Sequence, residues 1–90
     1  MKEKNQSVCE IDEYGTKWWR LNGQLHRENG PSIEYLSGTK TYHLHGQLHR
    51  IDGPAVEYFN GAKYWYYYDR PINCRSQEEF KKLIKLKALW

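Results

Sequence analysis

Gly15, Gly38 and Gly61 recur at an interval of 23 residues, and each is followed two positions on by a lysine, Lys17, Lys40 and Lys63. A fixed period in this range marks an architecture built by stacking one supersecondary unit. Aligned on the glycines, "WWRLNGQLHRENGPSIEYLSG" (18–38) lies over "TYHLHGQLHRIDGPAVEYFNG" (41–61), and "NGQLHRENGP" matches "HGQLHRIDGP" at seven of ten places. A half unit, 8–15, precedes repeat 1 (16–38) and repeat 2 (39–61). A partial repeat 3 spans 62–74, and 76–90 closes what reads as one domain, 1–90.

Each unit reads as two strands. Segments 16–22, 39–45 and 62–68 are rich in Trp, Tyr and Thr, which suit a pleated surface. "SIEYL" and "AVEYF" alternate with period two, so Ile33, Tyr35, Val56 and Tyr58 share a face while Glu34 and Glu57 point away. "SG" at 37–38 and "NG" at 60–61 supply the positive-φ residues of two-residue hairpin turns. The expected fold is mainly β (α+β), an antiparallel meander of about five or six strands.

Alternation also sorts the first strand of each unit. Trp19, Tyr42 and Trp65, with Leu21, Leu44 and Tyr67, form the expected core face. Trp18, Arg20 and Asn22, then Thr41, His43 and His45, then Tyr64, Tyr66 and Tyr68 form a wet face. A sheet needs a cover for its apolar side. The tail predicts one, a helix over 76–90: Ser76 and Glu79 have capping-box spacing, and Phe80, Leu83, Ile84 and Ala88 make an apolar stripe that Leu86 and Trp90 widen. Lys81, Lys82 and Lys85 fall opposite.

Ninety residues leave little core for a deep active-site cavity, so an interaction module fits better than an enzyme. Four Trp, eight Tyr and two Phe compensate, because each ring buries much area. The start "MKEKNQSVCE" has no apolar leader and no run approaches the roughly 18 apolar residues of a membrane span, which predicts a soluble, cytoplasmic chain without membrane insertion. Cys9 and Cys74 then read as reduced, small apolar packers. Residues 1–69 carry net charge −1 and residues 70–90 carry +4, so the basic character belongs to the tail.

An aromatic strand, an Asn-Gly turn, a His/basic stretch, a second Gly and "IEYLSG" resemble the MORN-type repeat of stacked β-hairpins. The pattern "GQLHR.DGPA.EY..G.K" is similar to repeats of short, mostly phage-encoded proteins that end in an "EEF" helix, a likeness covering about residues 10–90. It implies a binding or scaffold role without a cofactor. For a phage protein the implied partner is a host protein, blocked or redirected in the cytoplasm of an infected bacterium as an antagonist of host defence. The third copy, "YYYDRPINC", lacks the His-Arg and Gly-Pro elements, so a ligand role tied to them stops at the second.

His26 and His49 with Arg27 and Arg50 admit two readings. Either the rings pack on the neighbouring hairpin while the guanidiniums bond loop carbonyls, Glu34 and Glu57, or two His-Arg pairs hold an anion such as a nucleotide or lipid headgroup. "HLH" at 43–45 puts two imidazoles on one strand face, but without CxxC or HExxH no metal site is assigned, and no Ser, Cys or Thr sits in a nucleophile elbow. Tyr64, Tyr66 and Tyr68, with Trp18, Arg20, His43 and His45, form the expected contact surface, for a partner protein or for a second copy across a two-fold. They also suggest a stacking platform for single-stranded nucleic acid, against which stands the −1 charge of the sheet region.

Overall fold

The computed structural model describes residues 6–86. They form strands β1 (Val8–Ile11), β2 (Lys17–Leu21), β3 (Gln24–Leu25), β4 (Ile33–Glu34), β5 (Lys40–Thr41), β6 (His43–Leu44), β7 (Gln47–Leu48), β8 (Val56–Glu57), β9 (Lys63–Tyr67) and β10 (Arg70–Ile72), then helix α1 (Gln77–Leu86). Eight strands make one antiparallel meander in the order β1, β2, β4, β5, β8, β9, β10, with β3 on β2, while β6 and β7 pair as a separate hairpin. The expected Ala88 and Trp90 of the helical stripe lie outside the described residues.

Turn chemistry sets this order. Asn22–Gly23, His45–Gly46 and Tyr68–Asp69 have positive φ at both residues, the two-residue turn whose twist matches that of paired strands. "SG" and "NG" do something else. Gly38 N–H donates to Tyr35 O at 2.9 Å inside a Tyr35 N–H to Thr39 O closure of 2.9 Å, so the loop has three residues and only its glycine has positive φ. Tyr58 to Ala62 repeats this, with Gly61 at φ 95°.

The "LHRxxGP" loops wrap around their own arginines. The Arg27 guanidinium lies 3.8 Å from the centre of the Trp19 ring, and Arg50 lies 3.9 Å from that of Tyr42. Each donates to the carbonyl of the following proline, Pro31 at 3.2 Å and Pro54 at 3.1 Å, and reaches Glu34 at 3.5 Å or Glu57 at 3.2 Å. The opposite side of each guanidinium rests on glycine. A Cβ at Gly30 would stand 2.9 Å from Arg27 and one at Gly53 2.6 Å from Arg50, closer than packed atoms can approach.

Helix α1 meets the sheet at the third hairpin. The Trp65 indole donates to Gln77 Oε1 at 2.8 Å, and Gln77 Nε2 donates to Ile51 O at 2.7 Å. The helix was expected to cover Trp19, Tyr42 and Trp65 alike, but arginines lie on the first two rings. Ser76 Oγ accepts from the Glu79 N–H at 3.2 Å, and the Glu79 carboxylate accepts from the Arg75 N–H at 2.8 Å, so the cap forms with its return arm one residue earlier than a capping box has it.

Burial is divided evenly between apolar and polar side chains. Ile33, Ala55, Val56, Trp65 and Phe80 are buried, and so are Thr16, His26, Ser32, Thr39 and His49. So small an apolar core makes each polar contact count. Cys9 is exposed rather than packed, because it lies on edge strand β1, and Cys74 is half-buried. Both are free thiols. Burial and then the Glu79 carboxylate push the Cys74 thiol up, against the Ser76 N–H.

Gly53→Ala should cost about 2 kcal/mol in urea unfolding, because the new Cβ lifts Arg50 off Tyr42 and off its carbonyl. In an Arg50→Ala background the same change should cost far less, and additive effects would contradict the sandwich. Phe80→Ala removes a fully buried ring and should cost about 3–5 kcal/mol by the same measurement.

Candidate functional site

Strand register builds one row of side chains across the sheet. Trp18 stands opposite Ile33, Ile33 opposite Thr41, Thr41 opposite Val56, and Val56 opposite Tyr64. Directly opposed residues share a face. The next row, Lys17, Glu34, Lys40, Glu57 and Lys63, alternates in charge and faces the other way.

This reverses part of the expected division into dry and wet faces. Ile33 and Val56, both buried, lie on the side of Trp18, Thr41 and Tyr64, which alternation in the first strands assigned to water. The ladder of Trp19 and Tyr42 is only half-buried beneath its guanidiniums. Alternation separates two sets of residues, but it does not say which set a neighbouring loop will cover.

A groove of about 500 Å³ opens over this floor, walled by Tyr35, Tyr58, Tyr66, His43 and Leu48. Tyr64 stands edge-on to Tyr58 at 5.8 Å, and Trp18 edge-on to Tyr35 at 6.3 Å. The Thr41 hydroxyl on the floor is buried and unpaired. His43 Nδ1 meets the Ser32 hydroxyl at 2.5 Å, and that hydroxyl also lies 3.2 Å from Thr41 O. Burial pushes the His43 pKa down, and the Asp69 carboxylate works against that. A serine beside a histidine and a carboxylate suggests a nucleophile, but Ser32 is fully buried and here orients the imidazole.

The expected contact residues divide into three groups. Tyr66 and His43 line the groove, and Tyr64 and Trp18 stand at its rim. Arg20 is 5.4 Å from the centre of the Trp18 ring but is held by Glu10 at 2.7 Å. His45 and Tyr68 are not on the strand face, because both are turn residues with positive φ, to which alternation does not apply. Their rings sit instead on His26 at 4.4 Å and His49 at 3.8 Å.

His26 and His49, the histidines of the anion alternative, are buried. His26 Nδ1 accepts from the His45 N–H at 2.9 Å, and His49 Nδ1 accepts from the Tyr68 N–H at 3.0 Å. Each histidine therefore ties its hairpin to the turn of the next, while Arg27 and Arg50 are engaged as described above. Sequence reasoning missed Tyr35 and Tyr58 as site residues, although their period-two spacing from Ile33 and Val56 carried the signal. Nothing in the sequence pointed to Ser32.

Among the described residues no three potential metal ligands converge, and no helix is long and apolar enough to cross a membrane. Comparison with protein-family models, with curated proteins and with solved structures finds no match to this chain.

Burial holds the pKa values of His43 and His49 below their ordinary value, so the unfolded chain binds more protons than the folded one as pH falls below about 6.5. Stability should be full above that pH and decline between pH 6.5 and 5, before carboxylates titrate. The urea midpoint should be lower at pH 5 than at pH 7.5. A flat profile over that interval would contradict the buried neutral imidazoles.

Proposed function

We propose that this chain is a MORN-like repeat protein of phage origin that acts without catalysis. In this reading it binds a host protein in the bacterial cytoplasm, inhibits or redirects it, and so antagonises host defence. One observation supports the binding role, while origin and target rest on the sequence resemblance alone. Buried Ile33 and Val56 floor an open groove ringed by tyrosines, of which Tyr58 is 46% and Tyr64 52% exposed. Tyrosine-rich concave patches of this kind supply interface hot spots, because rings bury much area while losing few rotamers. The sheet lysines stand opposite glutamates on the other face, so the groove lacks the cationic rim that a phosphate backbone calls for.

The double variant Tyr58→Ala/Tyr66→Ala tests the groove. Immobilised parent protein should retain a host polypeptide from bacterial lysate, and the variant should bind that polypeptide about 2 kcal/mol more weakly, roughly 30-fold in Kd. Lys17→Gln on the opposite face should bind like the parent. Equal retention by the groove variant, or a small non-protein mass on the parent in native mass spectrometry, would set the proposal aside.

A further inference from the structure

The loops after His26 and His49 share their backbone contacts but differ at one side chain. In the first, His26 Nδ1 accepts a backbone hydrogen bond, and Nε2 meets Glu28 Oε2 at 3.4 Å. In the second, His49 Nδ1 accepts in the same way, which leaves the ring hydrogen on Nε2, but Ile51 occupies the position equivalent to Glu28. His49 Nε2 is buried without a partner, in a residue only 3% exposed. A buried N–H donor with no acceptor is costly to leave unmade.

Ile51 stands between two clefts. One, of about 720 Å³, lies between the two loops and is lined by His49, Arg27 and Arg50. Its carboxylates are already engaged, Asp52 by Arg50 at 3.2 Å and Glu28 by His26. The other, of about 440 Å³, is lined by Tyr67, Ile84 and the lysines Lys81, Lys82 and Lys85. No carboxylate of the described residues forms an ion pair with these lysines. An orphaned donor and a row of unmatched cations therefore flank one exposed isoleucine.

We propose that this surface binds an acidic peptide segment of a partner protein. One carboxylate takes the place that Glu28 holds in the first loop and accepts from His49 Nε2–H, entering as the exposed Ile51 side chain turns aside. Neighbouring carboxylates rest on Lys81, Lys82 and Lys85, and an apolar residue of the segment packs on Tyr67 and Ile84. The charge complementarity is long-ranged and favours capture of such a segment. The surface lies on the side of the sheet away from the tyrosine groove, so either site can fail without the other.

The probe is a fluorescein-labelled EELEEL peptide, with QQLQQL as its neutral counterpart. EELEEL should shift the His49 Nε2–H resonance of the parent protein in ¹⁵N NMR, and QQLQQL should not. Ile51→Glu supplies the acceptor internally, so it should raise the melting temperature and weaken EELEEL binding about tenfold. Lys81→Gln/Lys82→Gln should weaken it similarly without changing the melting temperature. The proposal is overturned if EELEEL leaves the His49 resonance unmoved, whatever Ile51→Glu does, or if a folded Ile51→Glu variant binds EELEEL as the parent does.

Discussion

A guanidinium pressed between an aromatic ring and a glycine is the contact on which the rest of this fold depends. Arg27 on Trp19 and Arg50 on Tyr42 do in each unit what an aliphatic cluster does in a larger domain. They also donate to proline carbonyls, so the chain that leaves β3 or β7 returns to the sheet with its polar backbone satisfied. Glycine is required because a Cβ would collide with the guanidinium, and proline fixes φ where the next strand begins. Lysine could not substitute, since stacking and forked donation both need the planar head group.

The buried histidine extends that unit to the next. A two-residue turn with positive φ leaves the N–H of its first residue, His45 or Tyr68, pointing back at the preceding hairpin, and the imidazole Nδ1 is its acceptor. The third copy has no such duty, because no further hairpin follows within the described residues. Ile72 stands where the histidine would be, Asn73 where the arginine would be, and Ser76 where the second glycine would be. Trp65, in line with Trp19 and Tyr42, receives Gln77 of the helix in place of a guanidinium. At this hairpin the helix therefore takes the place that a loop arginine has at the first two.

Much of this was legible in the sequence. The 23-residue spacing located the turns, and β2, β4, β8 and β9 fell where aromatic and β-branched residues crowd. In contrast, β3 and β7, each Gln-Leu, fell in segments that read as turn, and the expected strand 39–45 divides into β5 and β6. Ser76 with Glu79 marked the helix start, because capping is local chemistry. The choice of face was not legible. Whether water reaches Trp19 or Ile33 depends on what a loop more than five residues away lays over the sheet, and an arginine in that loop reads equally as surface charge or as cover. The turn placement of His45 and Tyr68 was obscured for a related reason: Tyr is not a usual positive-φ residue, and the ring of each residue packs on the preceding histidine, tilted on His26 and stacked on His49.

Differences between the copies say where the fold leaves the sequence free. Arg27 and Arg50, Gly30 and Gly53, and His26 and His49 are the same because each unit needs the same internal contact. The groove positions Trp18, Thr41 and Tyr64 occupy equivalent places and are all different, as are Arg20, His43 and Tyr66. Packing alone would favour one good solution used in each unit. A row that changes from indole to hydroxyl to phenol gives the partner proposed for the groove three distinct environments, which would favour one register over the others. Under the proposed function, that variation is where specificity for the partner would lie. The exchange of Glu28 for Ile51 has the same character, since it removes from one copy a contact that the other retains.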